Sequence, residues 1–218
     1  MSVLCGQDTA FDLPERGVRA RTRRLMLETA ITLMQEGQSP SVSDVAEAAG
    51  VSRATSYRYF PRQADLVNAV VDTALGPILD WLPRSPHVEE RVADLMEVSL
   101  RRIGEFEATF RAALKLSLDQ WAKTRAGTLG LEAPLSRGHR IELLRNAVAP
   151  LHGTVSELDL DRLAKGLSLV FGIEAFVVLK DIWKMEQDEV ERTIIWVAQA
   201  LLSSIGDLER GRTTTGRE

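Results

Sequence analysis

Apolar residues recur at helical spacing along nearly the whole chain, and neither a strand-like alternation nor an internal repeat interrupts them. Leu27, Ala30, Ile31 and Met34 form the first stripe, which stops at Gly37. Ser41, with Asp44 three residues on, has the spacing of a capping box and starts a short second helix whose inner face is Val45, Ala46 and Ala49. Gly50 ends it. Ser52 caps a third helix, Arg53 to Phe60, which Pro61 closes. A fourth begins near Arg62, with Leu66, Ala69, Val70 and Thr73 along one side. Gly76-Pro77 then either kinks this helix or marks its end at Leu75.

Later stripes are longer. Val92, Leu95, Met96, Ser99 and Ile103 make one, and Phe106, Phe110, Ala113, Leu114, Leu118 and Trp121 the next. Residues 122–136, with Gly127, Gly130 and Pro134, read as a loop. Ile141, Leu144, Val148 and Leu151 follow, and two strong helices are predicted from Asp159 to about Trp183 and from Asp188 to about Leu208. The expectation is an all-α chain: a flexible arm at 1–15, a helix-turn-helix domain at 16–66, a helical domain at 67–208 and a disordered tail at 209–218.

The 218 residues are 44% hydrophobic and 27% charged, which is ordinary for a globular protein. The longest apolar run, Leu167 to Leu179, is too short for a membrane span, and the Met-Ser-Val-Leu-Cys-Gly start has no secretory pattern. Cys5 is the sole cysteine, as suits a cytoplasmic protein. Net charge is −4, yet residues 14–66 hold eight arginines against six carboxylates, a balance of +2 that leaves −6 for the remainder. Arg16, Arg19 and Arg23 share a helical face. A basic module on an acidic body fits a phosphate backbone; a solvated charged arm is the plainer reading.

Residues 41–60 hold the element that gives this charge a use: two short helices around a tight turn. Gly50 can adopt the left-handed conformation the turn needs, and Val51 can plug the angle between the helices. The second helix of such a unit offers its first residues to base edges, here Arg53, Thr55 and Ser56, with Arg58 a turn further on. Arg53 can grip guanine with two donors, and Thr55 can offer a hydroxyl or a methyl.

The run Val-x-Asp-Val-Ala-Glu-Ala-Ala-Gly-Val-Ser, then Thr-x-Tyr-x-Tyr-Phe-Pro and Asp-Leu-Val, resembles the DNA-binding signature of the TetR family of repressors across residues 22–70. The resemblance implies that Ser41, Tyr57 and Tyr59 hold phosphates while Ser43, Arg53 and Thr55 lie near base edges. Two positions depart from it: Gln63 replaces a phosphate-binding lysine, for which Arg62 could substitute, and Ala54 replaces a glycine. With Ser52, Ser56 and Arg58, these residues make up the expected DNA contacts.

The segment LSLVFGIEAFVV is apolar nearly all round, and the final helix loads several faces. The expected arrangement is a homodimer with a four-helix interface from Leu167, Val170, Phe171, Val178, Ile194, Val197 and Leu201, close approach being allowed by Gly166 and Gly172. A monomer that covers these faces itself is the alternative. Trp81, Met96, Phe106, Phe110, Trp121 and Phe176 supply bulk for a ligand cavity, and Glu174, in an apolar helix, needs a partner such as Arg140 or Lys180. His87, His139 and His152 form no metal or catalytic motif, so neither enzyme activity, metal nor cofactor is expected. The resemblance therefore implies a repressor that binds an inverted-repeat operator in double-stranded DNA and is released by a small-molecule effector. A helical scaffold without sequence-specific DNA binding is the other reading.

Overall fold

The computed structural model describes residues 17–130 and 138–215, with side chains described up to residue 205. Helices α1 (Val18–Gln35), α2 (Val42–Ala48) and α3 (Arg53–Tyr59) form the N-terminal unit. Helix α4 (Gln63–Leu75) leads into α5 (Val88–Glu105), α6 (Glu107–Arg125), α7 (His139–Val148), α8 (Glu157–Val170), the short α9 (Ile173–Phe176) and α10 (Gln187–Thr215). No strand occurs among the described residues. None of their helices is long and apolar enough to cross a membrane. The expected arm at 1–15 with its Cys5, the adjacent Arg16, and Pro134 of the loop lie outside the described residues.

Two apolar cores form, and α4 belongs to both. Met26, Leu27, Ala30 and Met34 of α1 meet Val42, Val45, Phe60, Leu66, Val67 and Val70 in the first, over which α6 lays Ala112, Ala113 and Leu116. Ala74 at the end of α4 enters the second core, with Leu95 and Met96 of α5, Leu144 of α7, Leu167 of α8, Phe176 and Ile194 of α10. The N-terminal unit is thus joined to the body by one continuous helix and by the packing of α6.

At the Gly76-Pro77 pair the helix ends rather than kinks: α4 stops at Leu75 and Gly76–Ile78 form a 3₁₀ turn. Pro77 leaves the last carbonyls of α4 without helical donors, and Arg102 replaces them. Its Nε donates to the carbonyl of Ala74 at 2.6 Å and its Nη2 to that of Thr73 at 3.4 Å, while its guanidinium stacks 4.0 Å from the centre of the Phe106 ring. With Ile78 buried beside it, the junction is an anchor and not a free pivot.

The long helix expected from Asp159 to Trp183 is broken. It stops at Val170, reverses through Phe171 and Gly172, and resumes as α9 and a π-helical stretch over Val177–Ile182. Gly172 takes φ +141 and ψ −179, a region closed to residues with a Cβ, so apolar periodicity alone overran the element. Helix α10 errs the other way and continues past the expected end near Leu208 to Thr215.

Candidate nucleic-acid interface

Local hydrogen bonds set the two short helices at their working angle. The Ser41 hydroxyl accepts from the Asp44 backbone N–H at 3.2 Å, and the Asp44 carboxylate accepts from the Ser41 N–H at 2.8 Å. The N–H donation by Ser41 is the main reason that the Asp44 carboxyl lies below its ordinary pKa. Gly50 takes φ +65, and the Val51 N–H closes onto the carbonyl of Ala46 at 2.8 Å. Helix α3 starts at Ser52, whose hydroxyl accepts from the Thr55 N–H at 3.3 Å and donates to Thr55 Oγ1 at 2.9 Å. The side chain of Thr55 is therefore held in one orientation at the front of the helix.

Arg53, Tyr57 and Arg58 project from α3 into solvent, with Thr55 and Tyr59 half-buried beside them. The Arg53 and Arg58 guanidinium groups each lie 5.6 Å from the ring centre of Tyr57 and Tyr59 respectively. Tyr57 also meets Ser43 of α2, hydroxyl to hydroxyl at 3.2 Å. That hydrogen bond chiefly, helped by Arg53, holds the phenol below the usual tyrosine pKa. Ser41, Ser43, Ser52, Arg53, Thr55, Tyr57, Arg58 and Tyr59 are thus all at least partly open to solvent, with Ser41, Ser43 and Tyr57 brought together where α2 meets α3. Ser56 is not. It is fully buried, with its hydroxyl donating to the Arg53 carbonyl at 2.8 Å, so it supports the turn from inside.

The two positions flagged at the start of α4 act differently from expectation. Arg62 is held by Asp65, its Nε and Nη2 at 3.0 and 2.9 Å from the two carboxylate oxygens. Gln63 accepts from the Val42 N–H at 3.1 Å and donates to the Pro40 carbonyl at 2.7 Å, tying α4 to the start of α2. A lysine could not accept from that N–H. Beside these residues runs a groove of about 440 Å³ bordered by Ser41, Tyr57, Arg62, Gln63 and, from α6, Lys115 and Asp119. Lys115 stands 52 positions beyond Gln63 in the chain and no local pattern links them; only the packing of α6 over α1 and α4 brings it there.

The family model for bacterial regulatory proteins of the tetR family matches residues 27–70, which span α1 to α4 and contain all of this surface's helix-turn-helix. Over these residues the chain is similar to the TetR family. The HTH-type transcriptional repressor LfrR of Mycolicibacterium smegmatis is 41% identical to it over 56 residues, 26% of this chain and 30% of that protein, so the chain matches less than a third of this relative's length. The TetR-type fold extends further. A tetR-family transcriptional regulator from Streptomyces coelicolor superposes with TM-score 0.62 at 19% identity, covering 89% of each chain. A TetR transcriptional regulator from Rhodococcus sp. RHA1 does so with TM-score 0.55 at 22% identity, covering 85% of this chain and 97% of that one.

In the body of this TetR-type fold, a cavity of about 100 Å³ lies between the two cores. Asn68, Val71 and Leu75 of α4, Ile103 of α5, and Phe110, Ala113 and Leu114 of α6 form one side. His139, Arg140 and Leu143 of α7, with Phe171, Gly172 and Ile173 at the helix break, form the other. Of the expected pocket residues, Phe110 and Arg140 line it, and Glu174 is joined to it through Arg140 at 3.0 Å. Trp81, Met96 and Phe176 are core instead, the Trp81 indole donating to Asp94 at 2.6 Å. Phe106 packs against the same core under Arg102, and Trp121 faces solvent at 65% exposure.

Of the residues expected at a chain-to-chain interface, Leu167, Phe171 and Ile194 are buried within the chain's own core, and Val170 and Leu201 pack against it. Gly166 faces Leu201 and Gly172 faces Arg140, so both close approaches are internal. Helical periodicity marks an apolar face without saying which partner covers it. Val178 is exposed and Val197 half-buried; Leu158, Leu169, Ile182, Trp183 and Trp196, outside the expected interface set, are further large apolar side chains left open from α8 to α10.

Proposed function

We propose that the protein is a TetR-type transcriptional repressor that binds an inverted-repeat operator as a homodimer and releases it when a small molecule enters the α4–α7 cavity. The observation that carries this reading is the exposure of Arg53 and Tyr57, with Thr55 half-buried beside them, on a capped second helix next to the Ser41 and Ser43 end of α2. Arg53 and Thr55 read base edges; Ser41, Tyr57 and Tyr59 hold phosphates; Lys115, paired with Asp119 at 2.9 Å, borders the same groove and can exchange that carboxylate for a phosphate. The open apolar side chains Leu169, Ile182, Trp183 and Trp196 supply the self-association face. Half-site centres then lie about 34–36 Å apart, or a multiple of that.

Release follows from shared helices. Val71 and Leu75 of α4 wall the cavity while Leu66, Val67 and Val70 of the same helix hold the N-terminal core, and Ala113 of α6 touches both regions. An occupant that displaces α4 or α6 alters the spacing of the two α3 helices without touching a base contact.

Selection from random DNA followed by gel retardation tests the proposal. An inverted repeat should emerge. Arg53→Ala should lose about 1–3 kcal/mol on that sequence and relax one base position, whereas Tyr57→Phe should weaken every sequence alike. Equal loss on selected and random DNA for Arg53→Ala would refute the base-reading role, and no retardation at physiological salt would favour the helical scaffold.

A further inference from the structure

We propose that the effector is a small apolar monocarboxylate, anchored by Arg140 in competition with Glu174. This rests on the reading of the cavity as the effector site and adds the chemistry of its occupant.

The lining decides the class by charge. Among the described lining residues, the ionisable side chains are His139 and Arg140, side by side at the start of α7, and none is a carboxylate. The acidic partners of these two residues sit behind them: Asp72 lies 3.0 Å from His139 Nε2, and Glu174 accepts from Arg140 Nη2 at 3.0 and 3.2 Å. Apart from Asn68, the remaining wall is apolar, with Val71, Leu75, Phe110 and Leu143 among its members. A ligand cation would meet positive charge, and a polyol would leave hydroxyls unpaired against hydrocarbon. One carboxylate on an apolar body satisfies both ends.

Arg140 also has donors to give. A guanidinium carries five N–H groups in a planar fork. Its hydrogen bonds to described residues are the two from Nη2 to Glu174 and one long bond from Nη1 to the Ser168 carbonyl at 3.4 Å. Nε–H and one Nη1–H point apart. A two-donor grip on a ligand carboxylate must therefore include Nη2, the atom Glu174 now holds, and the side chain retains 23% exposure. Gly172 makes the position possible, because a Cβ there would stand 2.8 Å from Arg140 Nη2 and 2.8 Å from Glu174 Oε2. Glu174 thus acts as an internal stand-in for the ligand's carboxylate. Its replacement frees the Phe171–Gly172 break from α7, while the apolar body presses on Val71 and Leu75 of α4.

Size narrows the choice. An engineered apolar cavity of about 150 Å³ takes up benzene, so the space of about 100 Å³ must widen to admit benzoate or hexanoate, which is the pressure on Val71 and Leu75 that release requires. The test uses the full chain without DNA, so its failure leaves the operator reading intact. Calorimetric titrations compare benzoate with benzamide and benzylammonium, and hexanoate with hexanamide. The carboxylates should bind saturably, about tenfold or more tighter than the amides, with no heat from benzylammonium. Arg140→Met should abolish that preference and Arg140→Lys restore part of it, circular dichroism confirming that each variant is folded. Glu174→Gln, which removes the competing charge, should tighten benzoate several-fold and keeps the proposal open to refutation if the Arg140 variants unfold. Equal affinity for acid and amide, preference for the ammonium, no binding by either carboxylate, or weaker benzoate binding by Glu174→Gln would overturn it.

Discussion

Replacing Gly172 by alanine probes the break between α8 and α9, where the backbone, the ion pair and the cavity wall meet. At φ +141 and ψ −179 the residue sits where a side chain strains the backbone, a cost of about 1–3 kcal/mol. The new methyl would also stand 2.8 Å from both Arg140 Nη2 and Glu174 Oε2. Both are ends of flexible side chains and can move aside. The ion pair they would give up is 23% and 37% exposed, so its loss adds no more than about 1 kcal/mol. A total of about 1–4 kcal/mol corresponds to about 2–16 °C in melting temperature for a chain of this size. Gly166→Ala is the internal control. It lies within helix α8, and its Cβ would meet Leu201 at an ordinary 3.5–3.6 Å, so removing glycine should stabilise by about 0.5–1 kcal/mol. Differential scanning calorimetry on both variants reads the contrast. Equal melting temperatures for the two would refute the assignment of strain to position 172.

Trp196 is 66% exposed on α10; if it anchors the dimer, Trp196→Asp should weaken self-association by about thirtyfold or more without lowering the monomer's stability, as sedimentation would show. Gln63→Lys should cost about 1–2 kcal/mol by leaving the Val42 N–H without its acceptor, yet steepen the salt dependence of DNA binding by about one phosphate contact in fluorescence titrations. Asp44 titrates below its ordinary 3.8 because the Ser41 N–H and hydroxyl favour its charged form. Its folded pKa is therefore depressed, and the stability it contributes is present above 3.8 and lost as pH falls through the folded value. Denaturant titrations should find Asp44→Ala less stable than wild type at neutral pH, with the gap closing in acid below that value; a gap that persists there would exclude the capping role.

The N-terminal unit was legible in the sequence because its determinants are local. The capping box at Ser41 and Asp44, the left-handed turn at Gly50, the cap at Ser52 and the stop at Pro61 each depend on residues within a few positions, and each forms where it was expected. Apolar periodicity likewise placed Leu27, Ala30 and Met34 inward. Periodicity could not tell an internal partner from a second chain, because both bury the same hydrocarbon. Leu167 and Ile194 therefore read as interface residues and are core, and Trp121 read as pocket and faces solvent. The inward turn of Ser56, the capping of α4 by Arg102 and the arrival of Lys115 beside Ser41 were decided by tertiary packing. The need of Glu174 for a basic partner was legible, but packing chose between Arg140 and Lys180: Gly172 leaves the space in which Arg140 meets Glu174, 34 residues away in sequence, while Lys180 pairs with Glu107.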